Sequence, residues 1–125
     1  MDVNGYHGDM KTLTEVQMAA TRVKGCCQEL SDPLPDRVVD DATSLLRALA
    51  DPTRLQMLTM LAKSSEPVCV CDFTAAFDLG QPTVSHHLAK LREAGLVTVS
   101  KHGIWAFYAL VPELPRLAKA VLATL

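Results

Sequence analysis

Apolar positions along the chain recur mostly at helical spacing. Ala42, Leu45, Leu46 and Leu49 fall at i, i+3, i+4 and i+7, which predicts a helix with one apolar face beginning at Asp36. Asp51-Pro52-Thr53 starts the next helix, because Asp is a good N-cap and Pro suits the first helical position. Leu55, Leu58 and Leu61 carry that helix inward until Lys63, ahead of Ser64-Ser65-Glu66-Pro67. Val68 to Phe77 is a short segment with an apolar face, broken at Leu79-Gly80. Gln81-Pro82 opens another helix, with Val84, Leu88 and Leu91 inward and Gly95 as its C-cap. Leu96 to Ser100 and Ile104 to Leu110 read as strands joined at Lys101-His102-Gly103, a hairpin. Leu114, Leu117, Ala118, Val121, Leu122 and Leu125 form a wide apolar stripe on a last helix, either core or a seam between two copies. Upstream, Asp9 to Lys24 suits an amphipathic helix with Leu13, Val16, Gln17 and Ala20 on one side, stopped by Gly25 and the proline-containing stretch after Ser31.

Two short helices around a glycine-containing turn, followed at once by a hairpin, give a mainly α fold with a β-hairpin wing, a winged helix-turn-helix. The expected organisation is an N-terminal segment, 1–35, and a winged domain, 36–125. With about 100° per residue and Val84, Leu88 and Leu91 inward, Thr83, His86 and Lys90 point outward and Gln81 sits near the helix start. Gln81, Thr83, Ser85, His86 and Lys90 are the short polar groups and the cation that a helix in the major groove needs for base edges and phosphates. Lys101 and His102, beside Gly103 at the expected hairpin tip, would set a cation on the backbone or in the minor groove. A solvated helix face and a charged hairpin tip look alike when each stands alone; their succession is what points to double-stranded DNA.

Composition narrows this further. The 125 residues, 49% apolar and only 5% aromatic, suffice for one folded, helix-leaning domain. The net charge of -2 is uneven: residues 1–50 hold five Lys/Arg against eight Asp/Glu, a balance of -3, and residues 51–125 seven against six, a balance of +1. From Gln81 to Gly103, Lys90, Arg92 and Lys101 face Glu93 alone, a modest basic strip with His86, His87 and His102 beside it. The uncharged run His102 to Pro112 is 11 residues, short of the roughly 20 that a spanning helix needs. An early acid and no apolar leader in the first residues suggest a cytoplasmic address and no membrane partner.

Four cysteines, Cys26, Cys27, Cys69 and Cys71, then call for reduced-thiol chemistry. A bridge between adjacent residues such as Cys26 and Cys27 would be strained, since their Cα atoms lie about 3.8 Å apart. Any one cysteine can be a small buried hydrophobe, but two close pairs suit a soft thiophilic ion. Cys69 and Cys71 fall at a helix start, where the dipole is expected to favour thiolates. On a regular helix i and i+2 point about 200° apart, so one ion would join them only after the first turn loosened. Such a site would bind two conformations unequally.

The runs Ala48-Leu49-Ala50-Asp51-Pro52-Thr53-Arg54-Leu55, Val68-Cys69-Val70-Cys71-Asp72-Phe73, Gln81-Pro82-Thr83-Val84-Ser85-His86-His87-Leu88 and Leu91-Arg92-Glu93-Ala94-Gly95-Leu96-Val97 resemble the ArsR/SmtB family of winged-helix metal-sensing repressors. The resemblance runs from about Asp40 to Leu122. It implies a homodimer joined through its first and last helices, bound to a dyad-symmetric operator and released by metal. Cys-Val-Cys-Asp at 69–72 is similar to the inducer site of arsenic- and antimony-responsive members and of the cadmium and lead branch. The best-known arsenic sensors carry a third Cys three residues after the second, where this chain has Thr74. The resemblance therefore implies that As(III) or Sb(III) draws its third thiolate from Cys26 or Cys27, of the same chain or the partner. A four-thiolate Cd(II)/Pb(II) site would use all four cysteines. The zinc site of other members needs Asp and His on the last helix, and Leu114 to Leu125 has neither.

The leading expectation is a metal(loid)-responsive repressor with metal ligands Cys26, Cys27, Cys69 and Cys71 and no organic cofactor. A thiol redox switch on the same cysteines is the alternative of another class. An enzyme is disfavoured: no C-x-x-C is present, and the sixth residues after the cysteines are Asp32, Pro33, Ala75 and Phe77, so no C-x5-R phosphate loop exists.

Overall fold

A computed structural model describes residues 28–125. The expected helix at Asp9 to Lys24 and the pair Cys26-Cys27 lie outside the described residues. The chain divides into Met1–Pro33 and Leu34–Leu125, and every described helix and strand belongs to the second unit.

The helices are α1 (Asp36–Leu49), α2 (Pro52–Lys63), α3 (Val70–Phe77), α4 (Gln81–Glu93) and α5 (Arg116–Ala123); the strands are β1 (Val68–Cys69), β2 (Val97–His102) and β3 (Trp105–Leu110). Asp51 caps α2 by accepting from the Arg54 N–H at 2.9 Å, with Pro52 opening the helix. At the end of α4, the Leu96 N–H bonds the Leu91 carbonyl and the Gly95 N–H bonds that of Arg92. Gly95 adopts φ 77°, so this is a Schellman close with buried Leu91 and Leu96 packed beneath it. The core joins Met57, Leu58 and Leu61 of α2, Val70 and Phe73 of α3, and Val84, Leu88 and Leu91 of α4. Each fully buried leucine among them contributes about 1.5–3 kcal/mol over leaving it exposed.

The winged helix-turn-helix is as expected, with two local differences. The wing has a third strand: β1 pairs antiparallel with β3, Val68 opposite Tyr108 and Cys69 opposite Phe107, giving the order β1-β3-β2. Its tip is Gly103-Ile104, and Lys101 and His102 are strand residues paired with Ala106 and Trp105. Gly103 takes φ 65° at the first of two central positions, where a two-residue hairpin turn of type II′ requires glycine. Between α3 and α4, Asp78 is left-handed, at φ 53°, and Gly80 caps α4 in extended form. Asp tolerates that conformation better than most side chains.

The last helix divides its stripe. Ala118 is fully buried, Leu114, Val121 and Leu122 pack on the core, and Leu117 is exposed. Val38, Val39 and Leu46 on α1 are exposed as well.

Candidate functional site

On α4, Gln81, Thr83, His86 and Lys90 are exposed and Val84, Leu88 and Leu91 are buried, so the outward face is the expected one. Ser85 is only half exposed, on the flank towards the core. No side chain caps α4 at Gly80, and Lys90 and Arg92 occupy its last turn. Lys101 and His102 are exposed on β2, where the His102 Nε2 lies 2.9 Å from Ser100 Oγ and its ring meets Phe107 edge-on.

Beneath this face lies a polar knot that the sequence reading missed. The Arg54 Nε donates to the Ala48 carbonyl at 2.8 Å and its Nη2 to that of Arg47 at 3.2 Å, tying α2 to the end of α1. Its Nη1 lies 3.3 Å from His87 Nδ1, on α4. Guanidinium only donates, so this is a hydrogen bond only with that ring nitrogen unprotonated. The Arg54 N–H bond, and then the charge of Arg54, hold the Asp51 carboxyl below its ordinary range against an opposing push from burial. The signal was available: Arg54 sits three residues after an Asp-Pro start, where a side chain folds back over its own cap.

The cysteine pair is arranged otherwise than a regular helix allows. Cys69 is the second residue of β1 and the extended N-cap of α3, at φ -77° and ψ 150°. Its sulfur therefore lies beside that of Cys71, 2.8 Å away, and the expected loosening of the first turn is unnecessary. A capping box fixes the geometry: the Cys69 Sγ accepts from the Cys71 N–H at 3.4 Å, and the Asp72 Oδ2 accepts from the Cys69 N–H at 3.0 Å. Cys69 is buried and Cys71 exposed.

The expected preference for thiolate fails at Cys71. Its thiol donates to Cys69 Sγ, and this bond raises its pKa above the ordinary value, helped by desolvation and by the charges of Cys69 and Asp72. The backbone N–H at the helix start pulls the other way and is outweighed. A soft ion at this pair must displace a proton.

Thr74 offers no third thiolate: its side chain is a neutral hydroxyl, a poor donor for a soft ion, and its Oγ1 donates to the Cys71 carbonyl at 2.9 Å. Among the described residues no group of three or more His, Cys, Asp or Glu is placed to hold a metal ion. A groove of about 360 Å³ opens beside the sulfurs, lined by Cys69, Cys71, Thr74, Gln81, Ile104 and Trp105 among others. It touches the first residue of α4 and the wing tip at once. No described helix is long and apolar enough to cross a membrane.

A helix-turn-helix with a polar exposed second helix, followed by a β-hairpin wing to which β1 adds a third strand, defines a winged-helix regulator. Residues 51–99 match the family model described as bacterial regulatory protein, arsR family. The chain is 44% identical over 78 residues to the arsenic resistance transcriptional regulator ArsR1 of Pseudomonas putida, covering 62% of this chain and 60% of that protein. It is also 44% identical over 78 residues to the arsenical resistance operon repressor of Escherichia coli, covering 62% of this chain and 66% of that one. In both cases the aligned stretch spans less than two thirds of the relative. Among solved structures, HlyU from Vibrio cholerae superposes with a TM-score of 0.60 and 32% identity, over 72% of this chain and 92% of that one. The chain belongs to the arsR family of transcriptional regulators.

Proposed function

We propose that the protein is a repressor that binds operator DNA as a homodimer and is released by As(III) or Sb(III) held on cysteine thiolates. The observation that carries this reading is the meeting of Cys69 and Cys71 sulfurs at 2.8 Å, on a residue hydrogen-bonded into the wing sheet and at the start of the helix preceding α4. An ion there pulls on both parts that grip DNA. Gln81, Thr83, His86 and Lys90, with Ser85 on the flank, face the major groove, and Lys101 and His102 lie along the wing towards phosphate. The uncapped N–H groups at the start of α4 add a phosphate contact. Exposed Val38, Val39 and Leu46 on α1 and Leu117 on α5 supply the dimer seam. Cys26 or Cys27 completes a three-thiolate arsenic site; the names of the arsenic-resistance relatives support this choice of ion.

Moving operator occupancy from 99:1 to 1:99 requires the ion to favour the released form by about 5.5 kcal/mol, which several metal–thiolate bonds supply. The test is fluorescence anisotropy on operator DNA under reducing conditions, titrated in parallel with arsenite, antimonite, cadmium, lead and zinc. Release by arsenite near one equivalent per chain is expected, and Cys71→Ser should abolish it while still binding DNA. Release by cadmium or lead alone would instead assign a four-thiolate site. Release by no ion, with loss of binding on oxidation, would assign a redox switch. Thr83→Ala with His86→Ala should weaken operator binding about tenfold and leave ion affinity unchanged.

A further inference from the structure

The polar knot around Arg54 opens outward into a groove of about 430 Å³, lined by Ser44 and Arg47 of α1, Arg54 of α2, and Lys90 and Glu93 of α4 among others. Three helices each bring a cation to it, and Glu93 is the one acid of its lining. Arg54 is largely buried, and Asp51, 4.0 Å from its Nη1, offsets its charge. Arg47 and Lys90 are exposed, and among the described residues neither is in an ion pair, whereas Arg37 of α1 pairs with Asp41. The Arg54 Nη2 donates to the Arg47 carbonyl at 3.2 Å and its Nη1 meets His87, so the backbone that carries Arg47 is tied to the helix that carries Lys90. A concave surface with a surplus of one sign of charge focuses its field and draws in a counter-ion.

We propose that this groove seats a backbone phosphate of the operator, gripped by Arg47 and Lys90, with the Ser44 hydroxyl as a further donor, on a frame that Arg54 holds in place. The inference rests on the reading that α4 enters the major groove, and Lys90 belongs both to that outward face and to this groove. It adds a contact from α1, outside the residues expected from the sequence. Such a phosphate carries no base information; it fixes the register of α4 along the duplex. Glu93 lines the same space and weakens the grip, so its neutral isostere should strengthen it.

A duplex selected from a random-sequence library by the unsubstituted protein serves as the operator, and binding is followed by anisotropy against salt concentration. The knot uses the Arg47 carbonyl and not its side chain, so Arg47→Ala leaves it whole. Arg47→Ala should weaken binding about tenfold at low salt. It should also reduce the steepness of log K against log salt by about 0.9 per chain, about 1.8 per dimer, while Arg47→Lys keeps it. Glu93→Gln should tighten binding about threefold. Replacing phosphates singly by uncharged methylphosphonate should reveal a position that weakens the unsubstituted protein and leaves Arg47→Ala unaffected. An arginine in the last turn of a helix also offsets the helix dipole. Lowered stability in urea with an unchanged salt slope in Arg47→Ala would assign Arg47 to that role alone and overturn the inference. Inorganic phosphate, against chloride at matched ionic strength, tests the other source of the same chemistry. Thermal stabilisation by phosphate that Arg47→Ala loses, with no change in the DNA slope, would make the groove a free oxyanion site and overturn the operator assignment. Selection that enriches no sequence would sink the DNA-binding reading and this inference with it. An enriched duplex bound with the same slope and affinity by Arg47→Ala would overturn this inference alone.

Discussion

Helices α2 and α3 both begin on an extended residue whose own side chain caps the helix, yet the surroundings of the two caps are opposite. Asp51 caps α2 through a 2.9 Å bond and is enclosed by Arg54 and His87, which reach the end of α1 and the middle of α4. Cys69 caps α3 through a longer, 3.4 Å bond to sulfur and borders an open groove. One cap is locked by two residues. The other is itself buried and its sulfur already accepts from the Cys71 N–H and thiol, but it lines the groove, so a ligand that takes the Cys69 sulfur competes with the cap and reaches the start of α3 directly. Under the proposed function, a helix pair that holds α4 still and yet answers to an ion needs one start of each kind.

The sharpest way to break this contrast is to unlock the rigid start. Arg54→Ala removes two side-chain bonds to backbone carbonyls and the contact with His87 from a side chain only 15% exposed, so a loss of about 2–3 kcal/mol is expected in urea denaturation. Arg54→Lys should recover only part of it, because an ammonium cannot span the two carbonyls as the planar fork does. A loss under about 1 kcal/mol for the alanine variant would mean that the knot is ornamental to stability.

A smaller effect follows from the charge on that cap. The folded Asp51 pKa lies below the ordinary value of 3.8, chiefly through the Arg54 N–H bond. Its contribution is therefore present in full above the unfolded pKa and is lost as pH falls through the folded one. Asn keeps an acceptor for the cap but does not titrate. Stability measured from about pH 5 to about pH 2 should fall less steeply in Asp51→Asn than in the unsubstituted protein. Equal slopes would show that this carboxylate is not a source of the acid sensitivity.

The two starts also differed in how far the amino-acid sequence disclosed them. Asp51-Pro52 announces its helix in two residues, and Gly95 closes α4 in the same local way, because capping and proline geometry act within a turn. β1 is two residues long and exists by pairing with β3, Val68 against Tyr108, across a separation that local periodicity does not encode. The alternation Val68-Cys69-Val70-Cys71 carried a period-2 hint of extended backbone. Reading Cys69 as helical instead turned its sulfur away from Cys71 and hid the groove. Trp105 and Ile104 reach the cysteines only through the same sheet, which is why the apolar wall was invisible and the outward face of α4, set by its own 3.6-residue repeat, was not.

The most delicate test lies at the open start. Asp72 is exposed and accepts from the Cys69 N–H at 3.0 Å, the half of the capping box that does not involve sulfur. Asp72→Ala should cost less than about 1 kcal/mol in stability, since a solvated cap bond is readily replaced by water. Its larger consequence should be on the cysteines. Losing that bond frees the Cys69 backbone to leave its extended cap geometry, the geometry that brings the sulfurs together, and removes a negative charge that helps keep the Cys71 thiol protonated. The first effect weakens ion binding and the second favours it. Direct titration of the reduced variant with arsenite, at fixed pH, decides between them. Weaker affinity with stability nearly intact means that positioning of Cys69 governs the site; tighter affinity means that the proton on Cys71 does, and the comparison with Asp51 would then concern charge more than rigidity.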